Sequence, residues 1–310
     1  MARILVTGAR GFVGSHAIPI LLSHGHEVVT MGRSAPTGDR RGKEQWVSCD
    51  LLSEGAASHL IASQQPSHLL HLAWNTTPRR FWNDPANLDW LAASLRLFRA
   101  FAHHGGRRIV GVGTCAEYDW NCSLLSEVET PIAPRTLYGA AKAALGSTYA
   151  LAAASEGISF AWARLFFLYG PGEKQGRLTS DLFATLVDGQ MARVSHGRQE
   201  RDFMHVADVA AALVALLESD VTGPVNVATG ECRPLADLIS GVAAAIGRPE
   251  LVRFGAVDVP VDEPPRLAAS TLRLREEVRF TPRFDLRSGI SDTYRWWRTQ
   301  SDARNNRPAD

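Results

Sequence analysis

Tyr138 and Lys142, in the stretch "TLYGAAK", stand at i and i+4, a spacing that puts both side chains on one face of a helix. An ammonium beside a phenol lowers the phenol's pKa from about 10, so the pair can act as an acid/base near neutrality. Thr114 closes the run "VGVGT", and its hydroxyl can hydrogen-bond a substrate oxygen shared with that tyrosine. A second centre of chemistry is "TGARGFVGSH", residues 7–16. There Gly8, Gly11 and Gly14, with Arg10, Phe12 and Val13 between them, are spaced for a tight turn. Such a turn delivers backbone N–H groups and the positive end of a helix to one point, which suits a pyrophosphate.

Both centres need a scaffold that brings strand ends together. The apolar runs "ILVT", "EVVTM", "HLLHLA", "RIVGVG" and "ISFAWARLF" alternate with helical periodicity over 12–24, 56–64, 86–104 and 137–155. That alternation predicts βαβ units, and hence an α/β, Rossmann-type doubly wound parallel sheet with helices on both faces. Within 86–104, Leu88, Leu91, Leu95, Phe98 and Ala102 make an apolar stripe, and "NDP" supplies a cap and a proline at its start. After about residue 170 the pattern loosens, with helices expected over 178–189, 207–218 and 235–246 and prolines crowding 259–265. The expected organisation is a Rossmann domain over 1–170, with return elements near 203–229, and a smaller, mainly substrate-binding region over 171–310.

The glycine turn leaves the dinucleotide open, and the end of the second strand bears on it. A site for NAD ends that strand with an acidic residue that accepts hydrogen bonds from the ribose hydroxyls. Here "EVVTM" runs into Gly32-Arg33-Ser34, with no carboxylate and a guanidinium suited to bidentate pairing with a 2′-phosphate. Arg10 is placed to reach the same phosphate. The joint placement favours NADP(H) over NAD(H).

Bulk properties remove several alternatives. A net charge of +1 with scattered basic residues gives no general attraction to nucleic acid or to an acidic membrane surface, so any anion is held by a local site. Cys49, Cys115, Cys122 and Cys232 show neither C-x-x-C spacing nor disulfide-like density, which predicts free thiols, no metal site and a reducing, cytoplasmic setting. No segment has the length of a signal h-region or a membrane span.

Taken together, "TGARGFVG", Asp50-Leu51, "HLAW" at 71–74, Thr114, Y-x-x-x-K, "ARLFFLYGPGE", "RDFMHVADVA" and the terminal "YRWWR" resemble the extended short-chain dehydrogenase/reductases. This is the branch of NAD(P)-dependent nucleotide-sugar epimerases, dehydratases and ketoreductases. The resemblance implies that Tyr138 is the general acid/base, that Lys142 holds the nicotinamide ribose and tunes the tyrosine, and that Thr114 orients the carbonyl or hydroxyl. It implies cofactor contacts from the glycine turn, Arg33, Ser34, Asp50, Leu51, Leu72 and Ala73. Arg201 matches the family arginine that pairs with the sugar-nucleotide diphosphate, and Arg266 is a second candidate contact. Phe167 stands where the family often has an asparagine, giving a more apolar wall. Trp74 and Cys115 are expected to border the substrate, Cys115 as a small packing residue and not as a catalyst. Trp90 stands where an active-site asparagine is often found.

Departures from the family pattern narrow the reaction. Dehydratases follow the threonine with Asp-Glu, and here those positions are Cys115-Ala116. The GDP-fucose epimerase-reductases need a cysteine and a histidine where this chain has Ala116 and Gly172. What remains is hydride transfer at C4 of a nucleotide-linked sugar. NADPH-dependent reduction of a 4-keto-6-deoxy sugar is the favoured reading, with an NDP-sugar 4-epimerase as the alternative of the same fold. A non-catalytic NADP(H)-sensing protein is the alternative of another class, and it predicts erosion of a catalytic set that is intact here. Small-residue faces on 86–104 and 137–155 suggest a homodimer through a four-helix bundle.

Overall fold

The computed structural model describes residues 1–33 and 42–305. Ser34, one of the candidate cofactor contacts, lies outside the described residues. The first part of the chain runs β1 (Arg3–Thr7), α1 (Gly14–Ser23), β2 (Glu27–Gly32), β3 (Glu44–Ser48), α2 (Ala56–Gln64) and β4 (His68–His71). It continues through α3 (Ala86–His103), β5 (Arg108–Thr114), a 3-10 turn at Cys115–Glu117, α4 (Leu137–Ser155) and β6 (Ser159–Leu165). Then follow β7 (Phe167–Tyr169), α5 (Leu178–Val187), β8 (Ala192–Arg193), β9 (Glu200–His205), α6 (Val206–Glu218) and β10 (Gly223–Val227). The chain ends in β11 (Cys232–Pro234), α7 (Leu235–Ile246), β12 (Val252–Arg253), β13 (Arg266–Leu267), α8 (Leu272–Glu276) and α9 (Leu286–Asn305).

Seven strands form one parallel sheet in the order β10-β6-β5-β4-β1-β2-β3. Strand order reverses between β1 and β4, so the crevice outside their carboxyl ends is the topological switch point where such sheets bind ligands. Successive residues feed opposite faces: Ile4 and Val6 join the core beneath α1 and α6, while Leu5 joins the core beneath α2, α3 and α4. Both faces are covered, as a parallel sheet requires. β10 pairs with β6 and α6 packs beside α1, so residues 206–227 return to the main sheet.

The remaining strands build a small sheet in the order β11-β9-β13, with β7 also pairing with β9. Beside it α5, α7 and α9 enclose a separate apolar cluster around Phe183, Leu238, Ile239 and Trp297. This part stands over the carboxyl ends of β5 and β6, because β7 follows β6 directly and carries the chain across.

The apolar stripe on α3 packs on the core over most of its length: Phe98 is buried, and Leu91, Leu95 and Ala102 lie against the same cluster, while Leu88 is 54% exposed. The inward face also includes Asn87, Ser94, Leu97 and Phe101. Two of those inward residues are polar and fully partnered. Asn87 donates to the carbonyls of Phe81 and Asp84, and Ser94 donates to the carbonyl of Trp90. A pattern built on hydropathy cannot see a face marked by satisfied polar groups.

Candidate active site

The glycine turn leaves β1 and meets the start of the loop after β4. Gly8 has φ +67°, and a Cβ there would sit 2.8 Å from the backbone nitrogen of Ala73, so the turn and the close approach both exclude a side chain. A Cβ on Gly14 would collide with the Gly8 carbonyl. The Gly11 N–H closes the turn onto the Gly8 carbonyl at 2.8 Å. The result is a tight glycine turn at the start of α1, whose backbone N–H groups are the kind of donor a pyrophosphate needs, and the residues present fit a dinucleotide.

A relay of hydrogen bonds holds its floor. The N–H groups of Leu72 and Ala73 both donate to Thr7 Oγ1 at 3.1 Å. Thr7 in turn bonds His71 Nδ1 at 2.7 Å, and His71 Nε2 bonds Ser94 Oγ at 2.9 Å. Because the Ser94 hydroxyl spends its proton on Trp90, these partners assign the His71 proton to Nε2. Burial pushes the His71 imidazole down to about 3, so it is a neutral structural link, with no catalytic part.

At the adenosine end of the crevice, the Trp46 indole lies against Gly32, where a side chain would strike it. The Arg10 guanidinium stacks on that indole, 4.9 Å from the ring centre. Arg33 stands exposed one residue beyond β2. The Asp50 carboxylate is engaged by the N–H of Leu52 at 3.1 Å, and Leu51 is buried behind it.

At the other end, Thr114 caps the 3-10 turn after β5. Its Oγ1 accepts from the N–H of Ala116 at 3.2 Å, while Glu117 Oε1 accepts the Thr114 N–H at 2.8 Å, a closed capping box. Glu117, 0% exposed, also receives the Trp162 indole N–H and the Arg164 guanidinium at 2.8 Å. Arg164 extends the network to the Tyr118 hydroxyl, which donates to Asn226. Thr114 is thus set by a buried ion pair that hydropathy reading missed, although T-x-x-E was visible in the sequence as a capping signal.

Tyr138 stands in the first turn of α4 with 9% of its surface exposed. Phe81 and Trp82 meet its ring edge-on at 4.9 and 5.9 Å. Burial pushes the phenol above its ordinary value, and its hydrogen bond with Thr114 draws it part of the way back. This corrects the expectation drawn from the i, i+4 spacing. The Lys142 ammonium is engaged elsewhere: Nζ donates to the Val112 carbonyl at 2.8 Å and lies 3.9 Å from the Trp74 ring centre. The cation that does lower the phenol is Arg177. Its guanidinium donates to the Thr76 carbonyl at 3.0 Å and covers the Phe81 ring at 4.8 Å.

On the substrate side, Arg201 is buried on β9 and covers the Phe167 ring at 5.4 Å. Its guanidinium pairs with Glu263, and Arg266 pairs with Glu200 across the β9–β13 ladder. Cys115 packs among Tyr118, Leu125 and Phe166, and burial pushes its thiol up to about 12, which leaves it inert. The structure therefore gathers Thr114, Tyr138, Lys142 and Trp74 at one end of the crevice and the glycine turn, Arg10 and Arg33 at the other. Arg201, Phe167 and Arg266 line the small sheet that follows.

Comparison with known proteins agrees with this arrangement. The model of the NAD dependent epimerase/dehydratase family matches residues 4–228. The chain is 26% identical to a UDP-glucuronic acid decarboxylase 1 of Xenopus tropicalis, over 96% of this chain and 72% of the relative. It is 28% identical to a dTDP-4-dehydro-6-deoxy-D-allose reductase of a Streptomyces species, over 95% of this chain and 96% of the relative. A solved UDP-glucose 4-epimerase of Thermus thermophilus, in complex with NAD, superposes with a TM-score of 0.81 at 26% identity, covering 96% of this chain and 99% of that one.

Proposed function

Because the chain belongs to the NAD dependent epimerase/dehydratase family, we propose that it carries out NADPH-dependent reduction at the C4 carbonyl of a nucleotide-linked 4-keto-6-deoxy sugar. The observation that carries the cofactor choice is the end of β2. Gly32-Arg33 stands there in place of a carboxylate, next to the Arg10–Trp46 stack. A guanidinium at that point pairs with a 2′-phosphate, whereas a ribose with two free hydroxyls wants an acceptor. The relative of known name that reduces a 4-dehydro-6-deoxy sugar, matched over nearly the full length of both chains, supports the same reading.

When bound, the nicotinamide supplies the hydride. The chain's own residues do the rest. The glycine turn and the start of α1 hold the pyrophosphate. Lys142, with one N–H spent on Val112 and its charge lying on Trp74, keeps donors for the nicotinamide ribose. Thr114 Oγ1 holds the sugar carbonyl oxygen, and Tyr138 gives its proton to that oxygen as negative charge develops. Burial keeps the phenol protonated at neutral pH, the state a donor needs, and Arg177 stabilises the phenolate left behind. Phe81 and Trp82 keep water from the reacting face. Arg201 and Arg266 receive the diphosphate by exchanging their carboxylate partners for it.

A second reading, an NDP-sugar 4-epimerase, is favoured by the Thermus relative with NAD. Fluorescence titration with NADPH and with NADH separates the two, followed by NADPH consumption with thymidine-, guanosine- and cytidine-diphosphate 4-keto-6-deoxy sugars. Tighter NADPH binding with stoichiometric consumption supports reduction. Tighter NADH binding, with interconversion of sugar epimers and no net consumption, replaces it with epimerisation. For assembly, the outward apolar side chains Leu88 on α3 and Leu151 on α4, 54% and 77% exposed, support a homodimer through these two helices.

A further inference from the structure

Lys142 is buried, its Nζ donates to the Val112 carbonyl at 2.8 Å, and the side chain against which its ammonium rests is aromatic. Nζ lies 3.9 Å from the centre of the Trp74 ring and 5.9 Å from that of Trp162. The Trp74 ring is itself held: its indole N–H donates to Asn87 Oδ1 at 2.8 Å. Asn87 is 1% exposed and uses its amide on the Phe81 and Asp84 carbonyls, both at 2.8 Å. One buried amide therefore ties the seat of the lysine to the segment whose Phe81 ring covers Tyr138.

We propose that Trp74, locked by Asn87, is a positioning residue for Lys142: its ring holds the ammonium one helical turn from Tyr138 and sets the charge that the lysine carries. The ring acts in two opposing ways. Its face attracts the cation, and its bulk keeps water from it. Burial is the larger effect and brings Lys142 down to about 7. The other groups facing the ammonium are Glu117 from the 3-10 turn, which favours the charge, and neutral His71 from β4. Tyr138, on the lysine's own helix, is protonated. The consequence for turnover rests on the function proposed above, but the seat itself does not.

The chain contains only three lysines, Lys43, Lys142 and Lys174, and the other two are exposed. Protein labelled with 13C at lysine Cε, free of cofactor and substrate, thus gives three resolvable signals in a pH titration by NMR. In the wild type, one signal is displaced upfield by the indole ring current and titrates near 7, apart from the other two. Trp74→Ala removes the displacement and raises the midpoint by about one unit or more toward the free-lysine value. Trp74→Phe keeps a ring face but not the indole N–H that Asn87 holds, so its displacement and midpoint fall between those of the wild type and Trp74→Ala. Asn87→Ala, which removes the acceptor that fixes the indole, loses the displacement. A Lys142 signal that is the same in the wild type and Trp74→Ala overturns the proposal, as does an equal response to the Ala and Phe replacements. Circular dichroism certifies each variant as folded, with Trp74→Phe the conservative replacement. Should no nucleotide sugar be turned over, the functional reading falls while the titration still decides the seat.

Discussion

Glu117→Gln tests the buried network that sets Thr114. The carboxylate accepts from the Thr114 N–H and the Arg164 guanidinium, each at 2.8 Å, and from the Trp162 indole at 3.0 Å. Every one of these partners is a donor. Glutamine keeps the shape but turns one acceptor oxygen into an NH2, which must face a donor whichever way the amide is flipped. It also leaves the buried Arg164 without its counter-charge. Breaking a buried pair from one side costs about 3–5 kcal/mol, so urea denaturation at neutral pH should show a loss of that size with an unchanged m-value. The double replacement Glu117→Met with Arg164→Met removes both charges and should recover the part of the loss due to the unpaired guanidinium, while the orphaned Thr114 and Trp162 N–H groups keep it below wild type, giving a coupling in the double-mutant cycle. A Glu117→Gln protein within about 1 kcal/mol of wild type would refute the reasoning, since the side chain would then be finding other partners.

Three further outcomes are expected. Tyr138→Phe should lower kcat about 10²-fold or more while leaving NADPH affinity unchanged, and unimpaired turnover would remove the tyrosine from its proposed role. Leu151→Glu, which places a charge on the outward face of α4, should convert a dimer into a monomer in light scattering, and an unchanged mass would show that this face is not the interface. His71 is neutral when folded, its imidazole held at about 3, but takes up a proton near pH 6.5 when unfolded. The unfolded chain therefore binds more protons below that pH, and stability drains as pH falls from about 6.5 toward the folded value, by about 1.4 kcal/mol per unit. Other groups titrate in the same window, so the measurement is the difference in slope between wild type and His71→Gln from pH unfolding series, and equal slopes would contradict it.

What was legible in the sequence was what local patterning encodes. The alternation of apolar runs and helical stretches marks β1, β2, β4, β5, β6 and α1 to α4, because a parallel sheet covered on both faces leaves little polar character in its central strands, but it does not mark the edge strand β3, whose residues are half-exposed. The glycine turn was equally readable, since the steric demands on Gly8 and Gly14 are local. On α3 hydropathy marks Leu91, Leu95, Phe98 and Ala102 but not the polar part of the inward face, because Asn87 and Ser94 look solvent-directed until their partners are known. Spacing places Tyr138 and Lys142 on one helix but says nothing of Trp74, which follows β4 and carries the ring face on which the ammonium rests. Arg201, matched by resemblance to a diphosphate-binding arginine, is buried on β9 and pairs with Glu263 from a distant segment, a partner that no local pattern shows. Strands of two or three residues such as β13 and β11 are too short to carry any period.

The start of α4 has a consequence for how the molecule comes together. Its first free N–H groups are completed by a different stretch of chain: the Leu137 N–H donates to Asn83 Oδ1, and the Tyr138 N–H to the Trp82 carbonyl. Only the Gly139 N–H is met by the helix's own cap, Thr136. The helix that bears the tyrosine and the lysine is therefore finished by residues 54 positions earlier. Its first turn is not a local product of its own sequence, and it reaches its final form only after the 74–85 stretch has docked. A single cut at the exposed Arg79-Arg80 bond, far from either residue in sequence, would release that stretch and unwind the turn on which Tyr138 stands.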